Sequence, residues 1–176
     1  MDLWTTHYSL VYCKDESLEL TAHCDADFAN SDGSYSHSGY ITYLNNTSSP
    51  ISWSSRKQKL VARSSTESEY ISLSEASCEL LWLQSWLESL LNNSDIVFYP
   101  AKLYSDNQSA IALANTRKFT KQSKHINVKF NHVRDLKEKG IITLFHVGTD
   151  HNLADGLTKP LTNAKLQFLV NNSLYC

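Results

Sequence analysis

The chain has 176 residues, of which 19% are charged and 41% apolar, with three prolines, five glycines and a formal net charge of -2. That length supports a single domain able to bury about 70% of the surface its unfolded form exposes, and the composition excludes collagen-like, low-complexity and linker-dominated classes. A charge of -2 gives no global attraction to polyanions or anionic lipid, so any nucleic-acid partner must be held by local patches.

Residues 1–17 read as an N-terminal tail with a short strand signal at 10–12. They have no charged segment followed by an apolar run, so no secretory signal is indicated, and no stretch of the chain reaches the roughly 20 apolar residues of a membrane span. Cys13, Cys24, Cys78 and Cys176 are scattered without a C-x-x-C pair, which points away from zinc and from a disulfide framework. Free thiols and an intracellular, cytoplasmic location are expected.

From Leu18 the pattern LELTAHC alternates with period two, placing Leu18, Leu20, Ala22 and Cys24 on one face, and the strand meets Asp25. The run 27–38 is rich in Ser, Asp and Gly and reads as a hairpin loop. A second strand is expected over 39–44, a turn over 45–50, and a third strand over 51–54 that continues irregularly towards 62. Three consecutive strands of this kind form an antiparallel meander. Its last part carries Arg56, Lys57, Lys59 and Arg63, a charge run that is either a solvated face or a place for a phosphate backbone.

Residues 64–91 (SSTESEYISLSEASCELLWLQSWLESLL) carry the longest helical signal. Counting at helical spacing gives Glu69, Leu73, Ala76, Leu80, Leu83 and Leu87, a stripe that is apolar except for the carboxylate opening it. Glu67 falls on a mixed flank and is expected to be wet. Ser64 with Glu67 and Thr66 with Glu69 both fit a capping box, so either Ser64 or Thr66 is a candidate cap, and taken alone the cap is the structural explanation for Glu69.

After a stop at 92–94, the segment 101–105 (AKLYS) reads as a strand ending in Asp106, and 107–115 as a compact helix for which Asp106 is a candidate N-cap. Residues 117–124 are basic with one aromatic and include Lys121 and Lys124. A further amphipathic helix follows over 126–139, closed by Gly140, then a strand over 141–147 and a tight loop over 148–151. Asn152 reads as the N-cap of a short helix with Asp155 in its first turn, and 161–170 as a last amphipathic helix packed across the outside. The element order is βββαβααβα, an α/β architecture with a mixed sheet.

Taken singly, Asp25 is a turn residue, Glu69 a cap, Asp106 an N-cap and Asp155 a dipole partner. Together, two acids end strands and two begin helices covering the same sheet, and functional groups collect at the carboxyl ends of strands in open α/β sheets. Four converging carboxylates repel unless cations neutralise them. Two Mg²⁺ ions about 3.5–4 Å apart, with Mn²⁺ as substitute, meet that need and suit phosphodiester hydrolysis.

The series CDADFA at 24–29, SGYITYL at 38–44, PISWSSRKQKLVARSSTESEYISLSEA at 50–76, YSDNQSAIALA at 104–114, SKHINV at 123–128 and LADGLTKPL at 153–161 closely resembles the ribonuclease H domain of copia-type LTR-retrotransposon polyproteins. The resemblance runs from about residue 10 to the end. It implies a ribonuclease H-like mixed five-stranded sheet, three antiparallel strands then two parallel, with helices on both faces. The domain would span 18–160, after a tail (1–17) left from the connection to a reverse transcriptase and before a C-terminal helix and tail (161–176).

The same resemblance implies endonucleolytic cleavage of the RNA strand of an RNA–DNA hybrid, with a reverse transcriptase partner in cis or in trans and, for an active element, a virus-like particle as the setting. It places the metal-binding and catalytic set on Asp25, Glu69, Asp106 and Asp155. Asp25 would bridge the ions, Glu69 and Asp106 would hold the one that activates water, and Asp155 would complete the other site. His151 is the nearest counterpart of a loop histidine that helps product leave, and Arg56, Lys57, Lys59, Lys121 and Lys124 are the candidate nucleic-acid contacts.

Two departures stand out: Phe28 where the family usually has tryptophan, and Gly156 where it has a bulky aliphatic, the latter expected to loosen the helix presenting Asp155 by up to about 1 kcal/mol. No Y-x-D-D motif of a reverse transcriptase is present, so the chain reads as an isolated C-terminal piece of a polyprotein or a stand-alone remnant. The competing reading is a catalytically silent retroelement-derived module that binds nucleic acid or a protein. A DDE-type integrase or transposase is disfavoured because its glutamate comes last, whereas Glu69 is second here.

Overall fold

A computed structural model describes residues 8–12, 18–31, 33–44, 49–91, 100–116 and 124–174. Five strands form one mixed sheet in the order β3-β2-β1-β4-β5: β1 (Leu20–Ser31), β2 (Tyr35–Leu44), β3 (Pro50–Lys57), β4 (Ala101–Ser105) and β5 (Ile142–His146). The first three pair antiparallel, while β4 runs parallel to β1 and to β5. The helices are α1 (Ser65–Leu90), α2 (Gln108–Asn115), α3 (Lys124–Glu138) and α4 (Asn163–Asn171). This is the mixed five-stranded α/β architecture that the sequence implies.

The alternation of LELTAHC sets the core. Leu20, Ala22 and Cys24 lie beneath α1, whose stripe of Leu73, Ala76, Leu80, Leu83 and Leu87 is buried against them together with Leu103 of β4. Ala110 and Ala114 of α2, Val133 and Leu136 of α3 and Ile142 of β5 extend this core across the parallel half of the sheet. On the opposite face Ile41 and Tyr43 of β2 are covered by Leu153, Ala154 and Leu157, with α4 packed behind them. Burial of this kind supplies most of the stability of helices whose intrinsic propensities are modest.

Several expected boundaries move. β1 does not stop at Asp25: its ladder with β2 continues to Asp27↔His37 and resumes at Ser31↔Tyr35, with Ala29 at φ 52 in the irregular stretch between. The hairpin loop is correspondingly short, and Gly33 (φ 77) and Ser34 (φ 62) make the turn. Polar composition suggested a loop, but ladder hydrogen bonds satisfy the backbone regardless of side chain. β3 extends to Lys57 before the chain leaves the sheet at the buried Gln58. The expected turn at 45–50 and the helix stop at 92–94 lie largely or wholly outside the described residues.

The N-caps separate the alternatives. Of the two capping boxes, the Ser64–Glu67 one forms: the Ser64 hydroxyl accepts from the Glu67 amide at 3.2 Å while the Glu67 carboxylate accepts from the Arg63 amide at 2.9 Å. Asn107, not Asp106, caps α2 through its side-chain oxygen, 2.9 Å from the Ala110 amide. Asn152 follows one 3-10 turn (Thr149–His151) rather than capping a helix, and Asp155 opens a second (Asp155–Leu157) whose cap is Ala154.

Leu80 is fully buried at the centre of the α1 stripe. Leu80→Ala should destabilise the fold by about 2–5 kcal/mol through lost burial and a residual cavity. Thermal unfolding followed by circular dichroism should show a midpoint lower by on the order of 10 °C.

Candidate metal centre

The last registered pair between the parallel strands β1 and β4 is Cys24↔Ser105. Asp25 and Asp106 each follow that pair, so they stand side by side at the carboxyl end of the parallel half. Glu69, in the second turn of α1, arrives from above. Asp25, Glu69 and Asp106 each offer a carboxylate oxygen, and these oxygens lie within 4.8 Å of one another. Asp25 is 2% and Glu69 7% exposed.

Small side chains let α1 approach closely. Ser68, Ser72 and Ala76 are all fully buried on its sheet-facing side. The Ser72 hydroxyl lies 2.7 Å from the Asp25 carbonyl and 3.1 Å from the Gly39 carbonyl, sharing its proton between β1 and β2 one turn beyond Glu69. At the start of the helix, the Gln58 amide donates to the Ser68 carbonyl at 2.9 Å and to the Ser38 hydroxyl at 2.8 Å. These contacts fix the height and rotation of Glu69 over the sheet.

Burial, with the charges of Asp25 and Asp106 added, pushes the Glu69 carboxyl up to about 9; a hydrogen bond from the Ala26 backbone opposes this. Burial also raises Asp25, against a hydrogen bond from Thr158 and the charge of Lys159. Glu69 Oε2 is buried without a hydrogen-bond partner. An orphaned, desolvated carboxylate oxygen beside two other carboxylates is a donor set of hard oxygens suited to a divalent cation such as Mg²⁺ or Mn²⁺. Burial and the same three acids push the Cys24 thiol well above its ordinary value, which leaves it a neutral core side chain.

Asp155 is 3% exposed but sits apart from the three-acid cluster. Its two oxygens are taken by lysines: Lys159 Nζ at 2.5 Å from Oδ1 and Lys165 Nζ at 3.1 Å from Oδ2. Thr158 connects the two parts, donating from its hydroxyl to Asp25 Oδ2 and lying 3.1 Å from the Asp155 carbonyl. Gly39, paired with Asp25, allows this approach, since a Cβ there would stand 2.8 Å from Leu157 Cβ and 2.9 Å from Thr158 Cγ2. Gly156 has a packing role too: a Cβ would meet Leu161 at 2.8 Å and Leu169 at 2.9 Å, so glycine brings α4 close to Asp155 instead of loosening the segment.

The remaining candidates are more dispersed. Arg56 and Lys57 lie at the end of β3, where Arg56 Nε donates to the Ser54 hydroxyl at 2.7 Å and Lys57 Nζ stands 4.7 Å from the centre of the Tyr35 ring. Lys59 is exposed just beyond. Lys121 lies outside the described residues, and Lys124 opens α3. His151 is exposed and meets Phe168 edge-on at 5.4 Å. Phe28, the other family departure, is 39% exposed on β1.

The sequence reading passed over Ser72, Gln58, Thr158 and Lys159, and took Asn152 only as an N-cap. Only Thr158 and Lys159 had a signal, standing three and four residues after an acid already singled out. Asn152 donates to the Cys24 carbonyl at 3.0 Å, which ties the loop before Asp155 to the strand bearing Asp25. Its neighbour His23 stacks on Tyr104 at 4.9 Å and is lowered to about 4 by burial, against a hydrogen bond to Asn152; it therefore stays neutral at pH 7.

No protein-family model matches the chain. The sequence is 40% identical over 164 residues to the retrovirus-related Pol polyprotein from transposon RE2 of Arabidopsis thaliana, and 39% over 164 residues to that from transposon RE1 of the same plant. It is 34% identical over 150 residues to the Pol polyprotein from transposon TNT 1-94 of Nicotiana tabacum. The first two matches cover 93% of this chain and the third 84%, but the chain spans only 11% of each of these polyproteins.

Among solved structures, the fold is similar to the N-terminal RNase H domain of a Mycobacterium tuberculosis protein (TM-score 0.58, 12% identity, 89% of this chain and 96% of that one). It is also similar to an RNase H1 isolated from compost (TM-score 0.56, 16% identity, 80% of this chain and 92% of that one). The compost-derived enzyme has also been solved in complex with an RNA/DNA hybrid (TM-score 0.55, 15% identity, 80% of this chain and 94% of that one). At these identities the likeness establishes the fold.

A cation entering the three-acid cluster must displace the proton that burial keeps on Glu69 up to about pH 9. Below that pH, Mg²⁺ binding should release close to one proton, and affinity should rise about tenfold per pH unit. Calorimetric titration at pH 7 in two buffers of different ionisation enthalpy should give different heats for the native chain and equal heats for Glu69→Gln.

Proposed function

The chain is a homologue of the Pol polyproteins of copia-type retrotransposons and has a ribonuclease H fold, and on that premise we propose that it is a metal-dependent endonuclease cutting the RNA strand of RNA–DNA hybrids. The observation that carries the reading is the meeting of Asp25, Glu69 and Asp106, residues far apart in sequence, at the carboxyl ends of two parallel strands. A bound Mg²⁺ or Mn²⁺ would there stabilise charge developing at phosphorus and lower the pKa of an attacking water.

The chain's own groups do the rest. Asp25, fixed through its carbonyl by Ser72 and through its carboxylate by Thr158, is assigned the bridging position of the donor set. Glu69 and Asp106 flank it as the other ligands, and Asp155 is the fourth acid of the site. Glu69 is also assigned to the ribose 2′-hydroxyl, the group that distinguishes RNA from DNA. The substrate is assigned by fold analogy with the hybrid-bound neighbour.

Arg56, Lys57, Lys59, Lys121 and Lys124 are assigned to the phosphate backbone, and His151, exposed in the turn before Asp155, to product departure. The partner proposed is a reverse transcriptase, in cis or in trans; a foamy virus protease-reverse transcriptase is among the structural neighbours. No helix among the described residues is long and apolar enough to cross a membrane, and the cytoplasm, or a virus-like particle, is the proposed setting.

Asp25→Asn, Glu69→Gln and Asp106→Asn should each reduce Mg²⁺-dependent cleavage of a labelled RNA–DNA hybrid by at least about a hundredfold, the scale on which electrostatic groups of a reacting centre act. Their circular dichroism should match the native chain. Full activity in any of them would reject the assignment.

Neutralising Lys57, Lys59, Lys121 and Lys124 together should weaken hybrid binding and flatten the plot of log affinity against log salt, by about 0.7–0.9 for each lysine that contacts a phosphate. An unchanged slope would make these lysines a solvated face.

A further inference from the structure

The proposed ion cluster uses Asp25, Glu69 and Asp106, while the fourth acid is already occupied by cations of the chain itself. Both oxygens of Asp155 carry an ammonium group, and the shorter contact, 2.5 Å, belongs to Lys159. Lys159 stands four residues on in the same turn, where the Thr158 and Lys159 amides both lie 3.3 Å from the Asp155 carbonyl. Glu69 and Asp25 feel the charge of Lys159. The lysine is thus paired with the fourth acid, and its charge reaches two of the other three.

The segment bearing it has little freedom to withdraw. Thr158 is hydrogen-bonded to Asp25, Gly39 admits Leu157 and Thr158 at contact distance, and Gly156 does the same for Leu161 and Leu169, next to the helix that carries Lys165. Lys165 is shared with Asp150, 3.4 Å from its Oδ1, so Lys159 is the cation held to Asp155 at the shortest distance. A second divalent ion at Asp155 would have to take Oδ1 from Lys159, at close range and in a poorly solvated site where exchange of one cation for another gains little.

The geometry points to Lys159 as the built-in second cation of this centre: it holds Asp155 and thereby limits the chain to one tightly bound divalent ion, on Asp25, Glu69 and Asp106. Lys159 is a positioning residue in this role, acting through Asp155. The inference rests on the reading of the acid cluster as a divalent-cation centre, and its test separates the two.

The full chain without nucleic acid is titrated with Mn²⁺ by calorimetry and followed by electron paramagnetic resonance. The native chain should bind one Mn²⁺ tightly and show the six-line spectrum of an isolated ion. Lys159→Met should raise affinity for a second Mn²⁺ at least tenfold, with the broadened, spin-coupled spectrum of two ions about 4 Å apart. Lys159→Arg, which keeps the charge, should remain at one ion, as should Lys165→Met. Asp155→Asn should change the affinity of the single ion less than threefold.

Two equivalent tight ions in the native chain would overturn the role of Lys159 while leaving the metal centre intact. So would a tenfold loss of the first ion in Asp155→Asn, or a single ion in a Lys159→Met chain whose circular dichroism is native. If Lys159→Met does not fold, the native stoichiometry together with the Asp155→Asn and Lys159→Arg titrations decides the same question. Mn²⁺ binding that is absent, or indifferent to Asp25→Asn, would overturn the metal centre and this inference with it.

Discussion

The structure depends on keeping several carboxylates close together where water is scarce. Three of them share a space less than 4.8 Å across and a fourth lies nearby, buried to 3% exposure. Left ionised and unpartnered, such groups would repel one another strongly in a poorly polarisable interior. The chain answers in three ways: Glu69 holds a proton, Asp25 accepts from Thr158, and Asp155 is flanked by two lysines. Each answer uses a different part of the fold, and a change in any of them should be felt by the others.

The scaffold is built to make that crowding possible. Ser68, Ser72 and Ala76 bring α1 close to the sheet because none carries more than a two-atom side chain, and the serine hydroxyls serve buried backbone carbonyls. The larger side chains of the same helix, Leu73, Leu80 and Leu83, fill the core beside them. Small residues therefore set the distance between helix and sheet while large ones supply the burial that holds it. Gly39 and Gly156 do for the 154–158 segment what the serines do for α1.

Much of this was legible in the sequence. The period-two run before Asp25 and the long 3.6-period stripe identified the strand and helix correctly, and β4 was placed residue for residue, because in each case local pattern and final burial agree. The same patterns brought Asp25, Glu69 and Asp106 to one edge of the sheet, while Asp155, expected with them, is not among the clustered oxygens. What escaped was set by tertiary contacts. β1 runs past Asp25 because β2 is there to pair with it, and two capping motifs compete at the start of α1 with only Ser64 in the right backbone conformation. Two neighbouring polar residues stood at the head of α2, and Asn107, not Asp106, became the cap, leaving Asp106 to face Asp25. Lys159 had at least the spacing of an i,i+4 partner of Asp155, but Lys165, ten residues on, gave no sign that it would close on the other oxygen. Gly156 looked like a weak point in a helix because its value lies in what packs over it, which a linear pattern does not contain.

The bond from Thr158 to Asp25 joins positions 133 apart in the sequence, and the one from Asn152 to the Cys24 carbonyl joins positions 128 apart. Contacts of that span close late, after the loop entropy of almost the whole domain has been met. During synthesis the sheet-and-helix half can collapse first, with its acids still open to water and able to ionise independently. The final segment adds a fourth buried acid, Asp155, to the three already gathered there, and it brings its own lysines. The order of the chain thus delivers Lys159 and Lys165 together with Asp155, the acid they pair with.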